Sequence, residues 1–135
     1  MKISTRGRYA LRLMLDLAIH QNDHQFVTIK SIAERQQLSE KYLEQIVTKL
    51  GRAGLVVSAR GPQGGYKMSR DPDDYTVGEI LRIMEGGLAP VSESQSNLPY
   101  CSTEEVWKRL AEAIDGVVDS ITLADLAKWQ EDAEK

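Results

Sequence analysis

The chain has 135 residues, 41% of them apolar and 27% charged, a length that suits one domain, or a small domain plus an oligomerisation element, with a core that needs no disulfide or metal. Its single cysteine, Cys101, excludes an internal disulfide framework and points to a reducing, cytoplasmic setting, while no apolar run is long enough to span a membrane and the first eight residues lack the apolar stretch of a signal peptide. The net charge of −3 argues against a nucleic-acid partner until it is divided: residues 1–70 carry 12 Lys+Arg and 5 Asp+Glu, a balance of +7, whereas residues 71–135 carry 5 and 15, a balance of −10.

In chain order, the first expected helix runs from about Arg6 to Gln21, capped by Ser4 or Thr5, with Ala10, Leu13, Met14, Leu17 and Ala18 as its buried stripe. Asn22 to Gln25 reads as a turn. Thr28 caps a second helix that buries Ile29, Ile32 and Ala33, and Gln37-Leu38 makes the next turn. Ser39 caps a third helix with Tyr42, Leu43, Ile46, Val47 and Leu50 on one face, and Gly54 stops it. Two short strands follow, Leu55–Ala59 and Tyr66–Ser69, joined by Arg60-Gly61-Pro62-Gln63-Gly64-Gly65.

Asp71–Asp74 reads as a polar turn. Thr76-Val77-Gly78-Glu79 has the pattern of a capping box opening a fourth helix that Gly86-Gly87 ends. Leu88 to Tyr100 has no period and reads as a loop. A second capping-box pattern, Ser102-Thr103-Glu104-Glu105, opens a helix whose Trp107, Leu110, Ile114, Val117 and Ile121 step 3, 4, 3, 4, the spacing of a coiled-coil seam. Gly116 within it allows a close helix crossing or a kink. A terminal helix starts or continues at Thr122-Leu123-Ala124-Asp125-Leu126.

The expected fold class is mainly α with a small β-wing: a winged helix-turn-helix over residues 1–87, a sensor or effector loop over 88–102, and a dimerisation helix with a C-terminal helix over 103–135. Taken alone, the polar face of the third helix is an ordinary solvated surface. Joined to a preceding helix by a three-residue turn and followed by a wing, it reads as a DNA-reading helix. Lys41 suits a phosphate, Glu44 a cytosine amino group and Gln45 an adenine edge. In the wing, Gly61, Gly64 and Gly65 permit close backbone approach, Arg60 is placed to enter a minor groove, and Tyr66 to anchor the base. A plain hairpin is the competing reading. A nucleotide-cradling loop fits poorly, since the spacing matches neither glycine-rich phosphate motif.

Lys2, Arg6 and Arg8 flank a helix start that attracts phosphate, or are simply a basic end. The seam could be internal core or a dimer face. Cys101 stands just before a helix, where thiols are reactive; a redox switch, an inter-subunit disulfide, a cluster ligand and an inert loop cysteine all remain open. His20 and His24 read as surface residues, and no set of ligands suits zinc or an iron–sulfur cluster.

Several stretches together resemble the Rrf-two family of bacterial winged-helix regulators over nearly the whole chain. They are Thr5-Arg6-Gly7-Arg8-Tyr9-Ala10, Leu38-Ser39-Glu40-Lys41-Tyr42-Leu43-Glu44-Gln45, Gly54-Leu55-Val56, Arg60–Tyr66, Val77-Gly78-Glu79-Ile80 and Ile121–Leu126. The resemblance implies a homodimer joined through the long C-terminal helix, and DNA binding through the third helix and wing, usually for repression. Lys41, Glu44 and Gln45 fall on the base-reading stretch, and Arg60 on the wing's minor-groove arginine. The DNA-contacting set it suggests adds Thr5, Arg6, Arg8, Thr28, Ser39, Tyr42, Thr48, Lys49, Arg52, Gly61, Gln63, Gly64, Gly65 and Tyr66. The dimer set is Trp107, Leu110, Ile114, Val117 and Ile121.

Cluster-binding members of that family carry three cysteines before the dimer helix, and the iron–sulfur-assembly regulators add a histidine. Here Cys101 takes the last cysteine position, Glu104 the histidine's, and Leu88–Tyr100 has no cysteine. The expectation is therefore a regulator without cofactor, similar to the cluster-free branch that controls cysteine metabolism and takes its signal from cysteine synthase. Its partners would be double-stranded DNA with a palindromic operator, a second copy of the chain and such an enzyme, with no membrane and no catalysis of its own. The alternatives are a winged-helix protein-interaction module, a thiol-dependent enzyme and a redox- or cluster-sensing regulator built on Cys101.

Overall fold

Among the described residues, five of the six α-helices begin at a hydroxyl side chain that accepts a hydrogen bond from a backbone N–H three residues on, which answers one of the unpaired donors of a helix start. The computed structural model describes residues 2–21, 25–91 and 98–135. Its helices are α1 (Thr5–His20), α2 (Ile29–Gln36), α3 (Glu40–Arg52), α4 (Val77–Glu85), α5 (Glu104–Val118) and α6 (Leu123–Ala133). Strands β1 (Val56–Ala59) and β2 (Gly65–Met68) lie between α3 and α4 and pair antiparallel, with Val56 opposite Met68 and Ala59 opposite Gly65.

The caps expected at Ser4, Thr28 and Ser39 form, accepting from Gly7, Ser31 and Tyr42 at 3.0, 3.1 and 3.1 Å. Two expected capping boxes do not. At α4 only the forward half exists: Thr76 accepts from Glu79 N–H at 3.1 Å, but the Glu79 carboxylate is drawn away to Arg70 at 2.8 Å. At α5 the N-cap is Thr103, not Ser102; it is already helical (φ −60°, ψ −22°) and its side chain caps nothing. The complete box opens α6, where Thr122 Oγ1 accepts from Asp125 N–H at 3.0 Å and Asp125 accepts from Thr122 N–H at 2.9 Å.

One core joins α1, α2, α3, the β-pair and α4. Leu13, Met14, Leu17, Ile32, Leu43, Leu50 and Ile80 are fully enclosed in it. A buried leucine or isoleucine contributes about 1.5–3 kcal/mol, so this set outweighs any cap. Gln37 turns α2 into α3 in the left-handed conformation (φ 58°), and Gly54 (φ 82°) ends α3. Of the turn expected at Asn22–Gln25, residues 22–24 lie outside the described residues, as do 92–97 of the expected loop. Pro72–Asp74 forms one 3-10 turn.

α6 belongs to this body as well. Leu123 is fully buried, and the chain bridges back through Val77 N–H to Ile121 O (2.8 Å) and Leu123 N–H to Tyr75 O (3.1 Å). α5 is different: none of its residues is buried. Its apolar residues form two stripes. Ile114 and Val118 face inward, and with Ile121 just beyond the helix they pack on Val77, Leu81 and Leu88. Val106, Leu110 and Val117 face outward, 43–57% exposed. A Cβ on Gly116 would meet nothing among the described residues, and the helix runs through it unbroken.

Candidate nucleic-acid interface

α3 divides cleanly. Leu43, Ile46, Val47 and Leu50 are buried, and Lys41, Glu44, Gln45, Thr48, Lys49 and Arg52 are exposed on the opposite face. The burial of one face fixes which side chains the helix presents. Tyr42 stays half-buried and meets Tyr9 edge-on, ring centres 5.9 Å apart, which ties the start of α3 to α1. The Thr48 hydroxyl donates to Glu44 O at 2.6 Å, so its proton is committed within the helix. Thr28 and Ser39 are exposed but already engaged as caps.

The wing is short and braced. Arg60–Gly64 connects the strands, closed by Gly64 N–H to Gly61 O at 2.9 Å. A Cβ on Gly64 would strike the Ala59 carbonyl, and one on Gly65 (φ 139°) the Val27 carbonyl. Tyr66 anchors the base through its backbone: it exchanges two hydrogen bonds with Val27, at 2.7 and 2.8 Å, just ahead of α2. Its half-buried ring packs on the core. The wing and the start of α2 are thereby held to one another. Arg60 and Gln63 project into solvent.

At α1, Thr5, Arg6 and Arg8 are exposed in the first turn. The helix start itself already holds an anion: Ser4 N–H and Oγ both donate to Glu85 Oε1, at 2.7 and 2.8 Å. Among the described residues, none of Arg6, Arg8, Lys41, Lys49, Arg52 and Arg60 forms an ion pair, whereas Arg35, Arg70, Arg82 and Arg109 each do. The cations of the α3 and wing surface therefore keep their charge for an outside partner.

Two residues that the sequence reading passed over hold this surface in place. Tyr75 is fully buried, and its hydroxyl donates to Leu55 O at 2.6 Å and accepts from Ser69 and Arg70 N–H at 2.9 and 3.0 Å. It joins the end of α3 to the end of β2, with Arg70 stacked 4.3 Å over its ring. Asp16 interrupts the apolar face of α1, buried, and receives Arg35 through two nitrogens (3.0 and 2.7 Å) and Gln36 (2.9 Å), which fastens α2 to α1. A carboxylate in an apolar stripe was the available sequence signal for Asp16; for Tyr75, whose partners are backbone groups, there was none.

The five seam residues are not presented together. Leu110 and Val117 are exposed, Trp107 is half-buried, and Ile114 and Ile121 pack on the chain's own α4 region. Cys101 is exposed; its thiol is held below the usual range, first by hydrogen bonding to the Thr103 side chain and then to the Thr103 backbone, with Glu104 opposing. It is the one cysteine of the sequence, whereas a cluster takes several soft ligands, mostly thiolates. Among the described residues, the one grouping of potential metal ligands is Asp71, Asp73 and Asp74, all oxygen donors on the surface. No described helix is long and apolar enough to cross a membrane.

Residues 3–129 match the model of a family described as iron-dependent transcriptional regulator, Rrf2. The chain is 45% identical over 129 residues to the HTH-type transcriptional regulator CymR of Bacillus subtilis, covering 96% of this chain and 91% of that protein. It superposes on the solved structure of B. subtilis CymR, the global cysteine regulator, with a TM-score of 0.84, 44% identity and coverage of 96% and 98%. It superposes equally well on T. potens IscR, with a TM-score of 0.84, 46% identity and coverage of 100% and 92%. The winged helix-turn-helix, the outward cations on α3 and wing, and these likenesses place the chain in the Rrf2 family of DNA-binding transcriptional regulators, which are not enzymes.

Proposed function

We propose that the protein is a cytoplasmic, cluster-free repressor that binds a palindromic operator as a homodimer and serves cysteine or sulfur metabolism. The observation that carries the DNA side is the set Lys41, Lys49 and Arg52, free of ion pairs among the described residues, beside Glu44 and Gln45 on a helix face whose opposite side is locked in the core, with Arg60 exposed on the wing that follows. In this reading α3 lies in the major groove, Gln45 and Glu44 read base edges, and Lys41 and Lys49 meet phosphates. Arg60 enters the flanking minor groove, where the narrow shape strengthens the attraction for a guanidinium. Leu110 and Val117 are the outward apolar residues that a second copy would cover.

Overall similarity does not separate the cluster-free branch from its relatives, because CymR and IscR structures match equally well. Residue inventory favours the first: one cysteine per chain, with Glu104 where a histidine ligand would stand. The effector would then be a protein such as cysteine synthase. A second reading, direct redox sensing at Cys101, draws support from its exposure and lowered thiol pKa.

Protein purified without oxygen tests this together with selection from random duplexes. A colourless, iron-free dimer that enriches a palindrome is expected. A coloured, iron-loaded dimer would overturn the cluster-free assignment, and failure to enrich any sequence would leave a protein-interaction module. Retained operator binding in Cys101→Ser under peroxide, with loss in the wild type, would select the redox reading over the partner enzyme.

A further inference from the structure

α5 carries outward apolar residues but buries nothing fully in its own chain, so what sets its direction matters. Arg82, in the last turn of α4, reaches across to it. Its Nη1 donates to Asp119 Oδ1 at 2.6 Å, and its Nη2 to Asp119 Oδ2 at 3.0 Å and Asp115 Oδ1 at 2.7 Å. These carboxylates stand one helical turn apart at the C-terminal end of α5. Gly78 makes room for the grip: a Cβ there would collide with Asp119 Oδ1 and the Arg82 guanidinium. Beside it Ile114 and Val118 pack on Val77 and Leu81. α4 in turn packs against α1 and α3. A continuous packed path thus runs from α3 through α4 to α5.

The pair is about one-third exposed on the arginine side and about half exposed on the carboxylates, so it contributes little to global stability. Its geometry is another matter. A planar guanidinium that meets one carboxylate with two nitrogens and a second with one fixes orientation as well as distance. A 15-residue helix is roughly 22 Å long. A swing of about 10° about the clamped end moves the far end by roughly 4 Å, close to the rise of one base pair, about 3.4 Å.

We propose that Arg82 is a specificity-determining positioning residue: by gripping Asp115 and Asp119 it fixes α5 relative to α3 and so sets the half-site spacing that the dimer accepts. This rests on the dimeric, operator-binding reading above. No contact of Arg82 with DNA is involved.

The test uses the full chain. Selection with the wild type defines the palindrome, and affinities are then measured on duplexes with the half-sites at the selected spacing and one base pair nearer or farther. The wild type is expected to lose about tenfold per base-pair change, the scale of a misplaced contact. Arg82→Met, which keeps the apolar stem, is expected to lose about threefold or less across the series, with an unchanged dimer by sedimentation and a nearly unchanged Tm. Arg82→Lys, which keeps the charge without the fork, falls between them. Asp119→Asn repeats the measurement should Arg82→Met fold poorly. A folded, dimeric Arg82→Met or Asp119→Asn with the wild-type spacing ratio overturns the proposal alone. A wild type that enriches no palindrome overturns the dimeric operator reading and this proposal with it.

Discussion

α3 and α5 are amphipathic helices of similar length, 13 and 15 residues, yet they are held in opposite ways. α3 locks four residues into the core, and its exposed face is polar and cationic. α5 locks none, rests Ile114 and Val118 on the α4 region beside the Arg82 grip, and presents Val106, Leu110 and Val117 to solvent. One helix is finished by its own chain and turned towards charge; the other needs apolar cover from outside. An amphipathic pattern alone does not reveal which side of a helix its own protein will use.

That contrast can be broken at several points. Salt gives the largest expected effect. If the dimer neutralises about 6–10 phosphates, operator affinity falls roughly 10³–10⁵-fold between 50 and 200 mM salt, while an apolar α5 contact holds. Titrations of both equilibria across that range would check it, and a salt-indifferent operator affinity would refute the α3 and wing assignment. Next, Leu43→Ala should cost about 2–5 kcal/mol of stability, because the fully enclosed side chain leaves a cavity. The same change at Leu110, 43% exposed, should leave the thermal stability of the protomer within about 0.5 kcal/mol.

Val117→Glu should weaken self-association by about 30-fold or more, the scale of losing an interface anchor, and leave the fold intact. Sedimentation showing an unchanged dimer would move the interface off the outward stripe. Arg60→Ala should weaken operator binding by about tenfold with an unaltered Tm; fluorescence anisotropy on the selected duplex would read it. The smallest effect concerns pH. Asp119 is held below the usual carboxylate range by the hydrogen bonds from Arg82. A lowered folded pKa means that the contribution is present above the unfolded value, about 3.9, and is lost as pH falls through the folded one. Spacing preference should therefore be flat from about pH 5 to 9; drift within that window would show that the clamp is not what holds α5.

Much of α3 and its surroundings was legible because the signals are local. Thr28 and Ser39 cap within three residues, Gly54 ends α3 at its own φ, and the apolar period of residues 42–50 names the buried face. The same local logic misled at Ser102–Glu105, where the pattern exists but the chain enters the helix one residue later. It also missed the true box at Thr122, where Asp125 takes the glutamate's place. Tyr75 was not legible at all. Its hydroxyl binds Leu55 O, 20 positions away, and backbone carbonyls have no sequence signature. The 3-4 spacing of α5 described an apolar helix correctly without telling that Ile114 turns inward and Val117 outward.

The Glu85 carboxylate on Ser4 has a bearing on how DNA affinity would be counted. A carboxylate at the N-cap offsets part of the peptide dipole there, so the attraction for a phosphate near α1 rests mainly on the whole charges of Arg6 and Arg8. Whole charges show up as integers. On a plot of log affinity against log salt, replacing either arginine by alanine should flatten the slope by about 0.9 for each phosphate no longer neutralised and leave the preferred sequence as it was. Glu85→Gln, which keeps an acceptor for Ser4 and removes only the opposing charge, should raise operator affinity without altering the preferred sequence.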